Sequence, residues 1–440
     1  MKVLDIGSGI GCDVGKLMER GVFAVSCDIS PKLIDIAREN CLSRGIHPIN
    51  FVLWDGLRLP FRNNVFDRIT TATVLQHVVD DSILQETGRS ARIIGESKED
   101  TIIQLQEFIQ IYYGVLNIEK CTIRDYGILG QPNSDCTFSD NKFINIKKIE
   151  FFPSARVNSK INIIKNTFTG EGRVILNSKS NCKISENIFQ DYGGITLEYG
   201  KRNIISKNIV NYISLAVSNN NDIVDNTIHG GSQILGSSFN NICNNKIISA
   251  ESGKGTGIFL ADGDACINLI SKNEIKNYAF GIYISGMTYL NIISENIVSD
   301  NSKYGIYFSA SYPHIIYLND IINNGDPYDE KTGNAYERSC KNNIWYCPIL
   351  RVGNYWSDYT SKYPGADIIH RILRPDIYNI PYDIYGSTNR DMYPLVNQHS
   401  SSQSVPQSQP QTQPSTQPSI STTTQTTTSS TTQSGTTTSR

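Results

Sequence analysis

Asn203-Ile204-Ile205-Ser206-Lys207-Asn208-Ile209-Val210 is followed closely by Asn221-Asp222-Ile223-Val224-Asp225-Asn226-Thr227-Ile228. In both stretches an apolar residue stands three places before the second Asn and another two places after it. The pattern recurs with its Asn at 141, 166, 187, 208, 226, 245, 273, 296 and 319, at steps of 18 to 28 residues. The residue three before is Phe138 in the first copy and Ile in the others: 163, 184, 205, 223, 242, 270, 293 and 316. The residue two after is Phe143, Phe168, Phe189, Val210, Ile228, Ile247, Ile275, Val298 or Ile321. Ile118, Cys121 and Ile123 read as an earlier copy with Cys in the Asn place. A short unit recurring this way cannot bury its apolar residues alone, so the copies must stack.

Apolar runs of only two to four residues from about 110 to 345 exclude helices of ordinary length. Leucine-rich repeats share part of the pattern but require leucine five places before the Asn, where this chain has Asn at 203, 221, 240, 268 and 291. The expected fold is a right-handed parallel β-helix in which turn Asn residues stack along the axis, tolerate left-handed backbone angles and satisfy one another's amides. The repeat resembles the NosD-type and pectin-lyase-like β-helix families. Gly353-Asn354-Tyr355-Trp356-Ser357-Asp358-Tyr359, Pro381-Tyr382-Asp383-Ile384 and Asp391-Met392-Tyr393-Pro394-Leu395 look like the closing stretch of NosD-like proteins. The resemblance covers about 110–397 and implies a β-helix over 109–345 with a C-terminal cap over 346–397.

A second element follows the Asn in several copies: Gly194-Ile195-Thr196-Leu197, Gly257-Ile258-Phe259-Leu260, Gly281-Ile282-Tyr283-Ile284 and Gly305-Ile306-Tyr307-Phe308. Strand alternation sends the second and fourth residues inward, so Phe259, Tyr283 and Tyr307 are expected in an outward column, one per coil, about 4.8 Å apart. Such a strip suits the faces of sugar rings and makes these three the candidate carbohydrate-binding residues for a polysaccharide. The alternative is a set of surface aromatics that stabilise neighbouring strands. The insert 249–256 lies close to this column. Asp262 and Asp264 are the close carboxylate pair nearest the strip, but Asp-Gly-Asp is ordinary turn chemistry.

The first hundred residues have another grammar, with short apolar runs alternating with helical patterns as in a parallel α/β sheet. Residues 2–6 read as a buried strand, Asp5-Ile6-Gly7-Ser8-Gly9-Ile10-Gly11 as the turn after it, and 13–20 as a helix. Glycines let the backbone approach a ligand and leave helix-start N–H groups free for an anionic group. A second strand ends in Asp28, whose carboxylate can accept ribose hydroxyls. Ser30-Pro31 then caps a helix running to about Arg44. A dinucleotide fingerprint needs glycine at 12, where this chain has Cys, so NAD is disfavoured.

This spacing resembles the class I S-adenosylmethionine-dependent methyltransferases of the small-molecule type. Their glycine loop matches at Asp5, Gly7, Gly9 and Gly11, their ribose acid at Asp28, their acid ahead of Leu59-Pro60-Phe61 at Asp55, and their post-strand histidine at His77. The resemblance implies that the loop holds the methionine part of S-adenosylmethionine, Asp28 the ribose and Asp55 the adenine amine. His77 is then the candidate catalytic residue, orienting a small-molecule acceptor or serving as base; the alternative for it is a satisfied histidine in a strand-helix turn. Two features depart from the family. The helix ahead of the first strand is not there, and the two closing strands of the sheet are not readable. Arg92-Ile93-Ile94-Gly95 fits the end of the family's fourth helix, 101–106 a fifth strand, and the module 1–108 an open sheet with unpaired edges.

Composition bounds the rest. In 440 residues, 40 Lys and Arg nearly balance 42 Asp and Glu. A nucleic-acid binder driven by charge is therefore disfavoured. No run of about 18 apolar residues is present, so no membrane span is expected. The start, Met1-Lys2-Val3-Leu4-Asp5, lacks the pattern of a signal peptide and reads as cytoplasmic, whereas a β-helix with a Ser/Thr-rich tail suits a cell-surface or secreted protein. The tail, 398–440, is Ser, Thr, Gln and Pro with two lone aliphatics, Val405 and Ile420, and is expected to be disordered. Ten cysteines contain no C-x-x-C pair and six histidines are scattered, so no metal centre is expected. Cys340 and Cys347 are a candidate disulfide if the region is exported, and Asp358, Asp376, Asp383 and Asp391 the one acidic group worth testing for calcium.

Overall fold

The computed structural model describes residues 2–402 apart from 8, 48–49, 55–60, 62–67, 72–89, 95–96, 99–100, 106–107, 112–114, 133–134, 154–158, 310, 327–328, 330–331 and 341. The first strand, β1 (Lys2–Ile6), lies between β2 (Phe23–Asp28) and β4 (Arg68–Thr71), and β3 (Phe51–Leu53) pairs with β2. Helices α1 (Cys12–Glu19) and α2 (Pro31–Ser43) connect the first three strands. Ser30 caps α2 as its sequence suggests, its Oγ accepting from the Leu33 N–H at 3.3 Å. Val3, Val14, Ala24, Ile34, Ala37, Cys41 and Phe51 make the core under the helices, and Leu4, Ile6, Cys27 and Trp54 a smaller one on the other face.

The sheet does not stop at β4. Its neighbour is β6 (Ile102–Leu105), and beyond β6 come β9 (Thr122–Arg124) and the corresponding strand of each later coil, in one parallel sheet of 16 strands. Two further parallel sheets of 11 strands each begin with β5 (Ser90–Ile94) and β7 (Ile109–Ile111), which pair with β8 (Val115–Glu119) and β10 (Gly127–Gly130). Each coil therefore visits the three sheets in turn, and about eleven coils stack into a parallel β-helix.

Three expectations are revised here. Residues 92–94, expected at a helix end, lie in β5, because Ile93 and Ile94 have Ile118 and Glu119 of the next coil to pair with. The boundary expected at 108/109 falls inside the first coil, whose three sides are β5, β6 and β7. The edge expected to be open beyond the fifth strand is closed, because β6 is at once the fifth strand of the α/β sheet and the first rung of the rod.

The core of the rod is one cluster running from Ile103 to Ile384. The repeat's apolar positions supply it: Ile163, Ile205, Ile275 and Ile321 are fully buried, each worth about 2–3 kcal/mol relative to exposure. Phe143, Phe168 and Phe189 stack inside at 4.8 and 4.4 Å between centroids. The far end of the core is covered by Trp345, Trp356, Tyr359, Tyr382 and Ile384, with Trp356 and Tyr382 stacked at 4.0 Å.

The repeated Asn residues form a continuous buried ladder. The backbone and side-chain N–H groups of Asn208 donate to Asn226 Oδ1 at 3.0 Å, and Asn226 does the same to Asn245 at 2.9 and 3.0 Å. The second amide proton goes to a carbonyl one coil back, as from Asn208 Nδ2 to Ile184 O at 2.9 Å. Stacked amides are thus satisfied as expected, but the left-handed residue is not the Asn. It is the residue before it: Asp140, Lys165, Glu186, Lys207, Asp225, Asn244, Lys272, Glu295 and Leu318 all have φ between 53° and 59°. Holding an L-residue there costs about 1–2 kcal/mol, and the ladder bonds beside it offset that cost.

Candidate functional site

The carboxyl ends of β1 and β2 carry the glycine turn and the acid that the sequence singles out. Asp28 is 4% exposed, and its carboxylate closes the mouth: Oδ2 accepts from the Gly9 N–H and Oδ1 from the Ser30 N–H, both at 2.9 Å. Asp5, 3% exposed, accepts from Ser26 Oγ–H at 2.8 Å and so ties the end of β1 to β2. Asp5, Gly7, Gly9 and Gly11 lie on one strand end and its turn, and Asp28 of the next strand is joined to them through the Gly9 N–H. The glycines divide the work. A Cβ on Gly9 (φ 48°) would meet nothing within 4 Å, so this backbone faces open space; a Cβ on Gly11 (φ 82°) would fall 2.9 Å from Ala37 Cβ, so Gly11 lets α1 and α2 pack. Cys27, beside the two carboxylates, is pushed up to about 12 by burial and then by the Asp5 charge, which keeps it a thiol. The indole N–H of Trp54, which follows β3, is buried with no hydrogen-bond partner among the described residues.

These residues fit S-adenosylmethionine as far as they go: an open glycine turn at a helix start, a buried acid at the next strand end and an unpaired indole N–H. Asp55 and His77 lie outside the described residues. A cavity of about 570 Å³ lies near Glu19, Phe23, Arg44 and His47, at the other end of the sheet from the glycine turn.

The aromatic column is longer than its sequence signal. Phe259, Tyr283 and Tyr307 are register partners on successive coils, with centroids 5.2 and 4.9 Å apart. Tyr336 and Tyr385 continue the column at 5.4 and 5.2 Å. Phe280 and Tyr304 form a second file beside it, within 5.3 Å of Tyr283 and 5.2 Å of Tyr307 respectively. Tyr336 and Tyr385 carry no sequence signal, because Tyr336 follows Gly333-Asn334-Ala335 rather than a Gly-Ile pair and Tyr385 lies in the cap. The Gly of that element is required by packing: a Cβ on Gly281 would sit 2.6 Å from Gly305 O and from Val298 Cγ1. Burial, and then the neighbouring Tyr336 and Tyr307, push the Tyr304 phenol up to about 12, so it stays a hydrogen-bond donor. Lys303 Nζ lies 5.5 Å over the Phe280 ring.

Other candidates resolve into structural roles. Asp262 has φ 65° and its carbonyl accepts from the Asp264 and Ala265 N–H groups, which makes this a turn. Asp391, fully buried, takes Trp356 Nε1–H at 2.9 Å and the Asn354 N–H at 2.7 Å, and so ends the Asn ladder. Asp358 accepts from Tyr382 and Asn334, Asp376 from His370 and Asp383 from Tyr363, so the four acids are engaged one by one within the protein. Cys340 and Cys347 are free thiols.

Residues 3–94 match the family model described as Methyltransferase domain, and 213–361 the one described as Periplasmic copper-binding protein (NosD). The demethylmenaquinone methyltransferase of Corynebacterium glutamicum (strain R) is 32% identical over 79 residues, which is 18% of this chain and 31% of that protein. Methyltransferase GfsG of Streptomyces halstedii is 31% identical over 94 residues, 21% of this chain and 34% of that protein. The chain thus spans about a third of the length of the curated relatives it matches. Among solved structures, a mutant of the periplasmic alginate epimerase AlgG aligns with 63% of this chain and 76% of its own, at 14% identity and a TM-score of 0.49. The chain joins a segment that is similar to methyltransferase domains to a parallel β-helix that is similar to NosD.

Proposed function

We propose that the α/β part of residues 1–108 binds S-adenosylmethionine and transfers its methyl group to a small acceptor, with the β-helix that its sheet runs into as the rod that carries it. The observation that carries the reading is Asp28, a buried carboxylate fixed by two backbone N–H groups at the carboxyl end of β2. Each oxygen accepts one of those bonds and retains capacity for a ribose hydroxyl. The order β3-β2-β1-β4 reverses direction at β1, and ligands of open α/β sheets bind outside the strand ends at such a point. When bound, the cofactor supplies a methyl group on a cationic sulfur. The chain's own contribution is to align the acceptor with it: the glycine turn would hold the methionine part, Asp55 the adenine amine, and His77 the acceptor or its proton. The matched methyltransferase model supports this reading.

Titration calorimetry on the full chain is expected to show saturable binding of S-adenosylmethionine that Asp28→Ala abolishes. Asp28→Asn keeps one acceptor for the loop and separates loss of the ribose contact from loss of loop geometry. Undetectable binding at millimolar cofactor overturns the reading.

The aromatic strip favours a second reading, in which the rod is a non-catalytic polysaccharide-binding or architectural protein of the cell surface or of secreted origin and the first module is an inactive remnant. Retention on immobilised polysaccharides, lost in Tyr283→Ala, is its expected outcome. No retention across a broad panel leaves only the architectural role.

A further inference from the structure

The chain carries Ile-Leu-Arg twice, at 349–351 and at 372–374. Both copies sit at turn tips beyond the last coil. The first is closed by a bridge between Cys347 and Val352, with the Cys347 N–H donating to Val352 O at 2.7 Å. The second caps the antiparallel hairpin of Ile368–Ile369 and Ile377–Tyr378, where Asp376 Oδ1 accepts from the Arg371 N–H at 3.0 Å. The two tips are tied to each other: Arg371 Nη1–H donates to Arg351 O at 2.5 Å and Arg374 Nη1–H to Leu350 O at 3.1 Å.

This fixed pair of turns presents aliphatic side chains to solvent. Ile349 is 85% exposed, Ile372 91%, Leu373 99% and Leu350 46%. One exposed leucine is unremarkable, but several on two interlocked tips form a patch. Both tips are held open by the backbone, with Arg351 at φ 53° and Leu373 at φ 61°. Arg351 and Arg374 are exposed on the same two tips, while Arg371 spends its guanidinium on Pro375 O and Arg351 O, so the patch is apolar at its summit and cationic beside it.

The geometry selects the occupant. The tail beyond 402 offers only Val405 and Ile420 as aliphatics, too few to match the four on the tips. A stable protein interface buries about 800 Å² per partner on complementary surfaces, which two convex tips do not offer. An anionic lipid surface asks for what is present: aliphatic tips that enter the acyl boundary and guanidinium groups that meet phosphates at the headgroup level. We propose that the paired Ile-Leu-Arg turns seat the C-terminal end of the rod on an anionic lipid surface. This association needs no membrane-crossing helix and is independent of methyl transfer and of the aromatic strip.

Co-sedimentation of the full chain with vesicles of phosphatidylglycerol and phosphatidylcholine tests it. Binding is expected, weakening as salt rises, weaker on pure phosphatidylcholine, and reduced about tenfold or more by the double variant Ile372→Ser/Leu373→Ser. Both side chains project into solvent, so thermal melting of the double variant should match the parent and exclude misfolding as the cause. No binding to phosphatidylglycerol vesicles, equal binding to neutral ones, or unchanged binding by the double variant would each overturn the proposal. So would a dimer in sedimentation equilibrium that the double variant converts to monomer, since that assigns the tips to a second copy.

Discussion

A ladder position needs a side-chain atom that accepts from the coil before it while the backbone N–H donates onward, and His314 shows what besides Asn can do this. A second ladder, Asn203, Asn221, Asn240, Asn268 and Asn291, runs at the other end of the three-residue strand that precedes the first ladder, Ile204–Ser206 in one coil, with the N–H of Asn203 on Asn221 Oδ1 at 2.9 Å. It continues through His314, whose Nδ1 accepts from the Asn291 N–H at 3.2 Å and whose own N–H donates to Asn343 Oδ1 at 2.8 Å. An accepting Nδ1 requires the neutral ring, and burial pushes His314 down to about 3 from its ordinary 6.5. The folded pKa is below the unfolded one, so the stabilisation is fully present above pH 6.5 and is lost as pH falls towards 3, over a span of roughly 4–5 kcal/mol. His314→Asn, which restores the amide of the neighbouring coils, is expected to leave stability at pH 7.5 within about 1 kcal/mol and to shift acid unfolding to lower pH. Circular dichroism followed through an acid titration checks this; an unchanged midpoint rules it out.

At the scale of elements, the fusion is a shared strand rather than a linker. The parallel register carries from Val3 opposite Arg68 to Arg68 opposite Ile102 and on to Ile102 opposite Thr122. A Rossmann-like sheet and one face of a β-helix have the same strand direction and nearly the same spacing, so one can continue as the other without a bend or a boundary loop. This arrangement answers the edge problem that the α/β segment would otherwise face. The backbone bonds that closing strands would supply come from the rod. The methyltransferase match runs to residue 94, the end of β5 and short of the shared strand.

For the whole molecule, what counts is that sheet hydrogen bonding is continuous while apolar packing is not. The rod has one cluster from Ile103 to Ile384, whereas the α/β segment rests on two small separate ones. Stability follows buried apolar contact more than ladder continuity, so the parts should open at different free energies. Scanning calorimetry is expected to resolve a lower transition for the α/β segment and a higher one for the rod. Asn208→Ala, which strips buried partners from Ile184 and Asn187 at a cost of about 1–3 kcal/mol, is expected to move the higher one alone. A single transition displaced as a unit by that variant shows that the shared sheet, and not the cores, governs unfolding.

The β-helix was legible because its constraint is local and repeated: a ladder Asn with apolar residues at −3 and +2 recurs in nine coils, so periodicity alone reveals it. The glycine turn and Asp28 were legible because a strand-turn-helix has short sequence spacing. The left-handed residue ahead of each Asn carries no signal, because Lys, Glu, Asp and Leu all occupy it and the ladder bonds, not the side chain, hold it there. His314 breaks the Asn pattern yet keeps the ladder, a substitution intelligible only once its ring nitrogen is seen to accept. The dual role of Ile102–Leu105 and the pairing of two Ile-Leu-Arg turns join residues far apart along the chain. Only tertiary structure decides those, since register between distant strands and bonds between distant loops depend on the packed molecule and leave no local period to read.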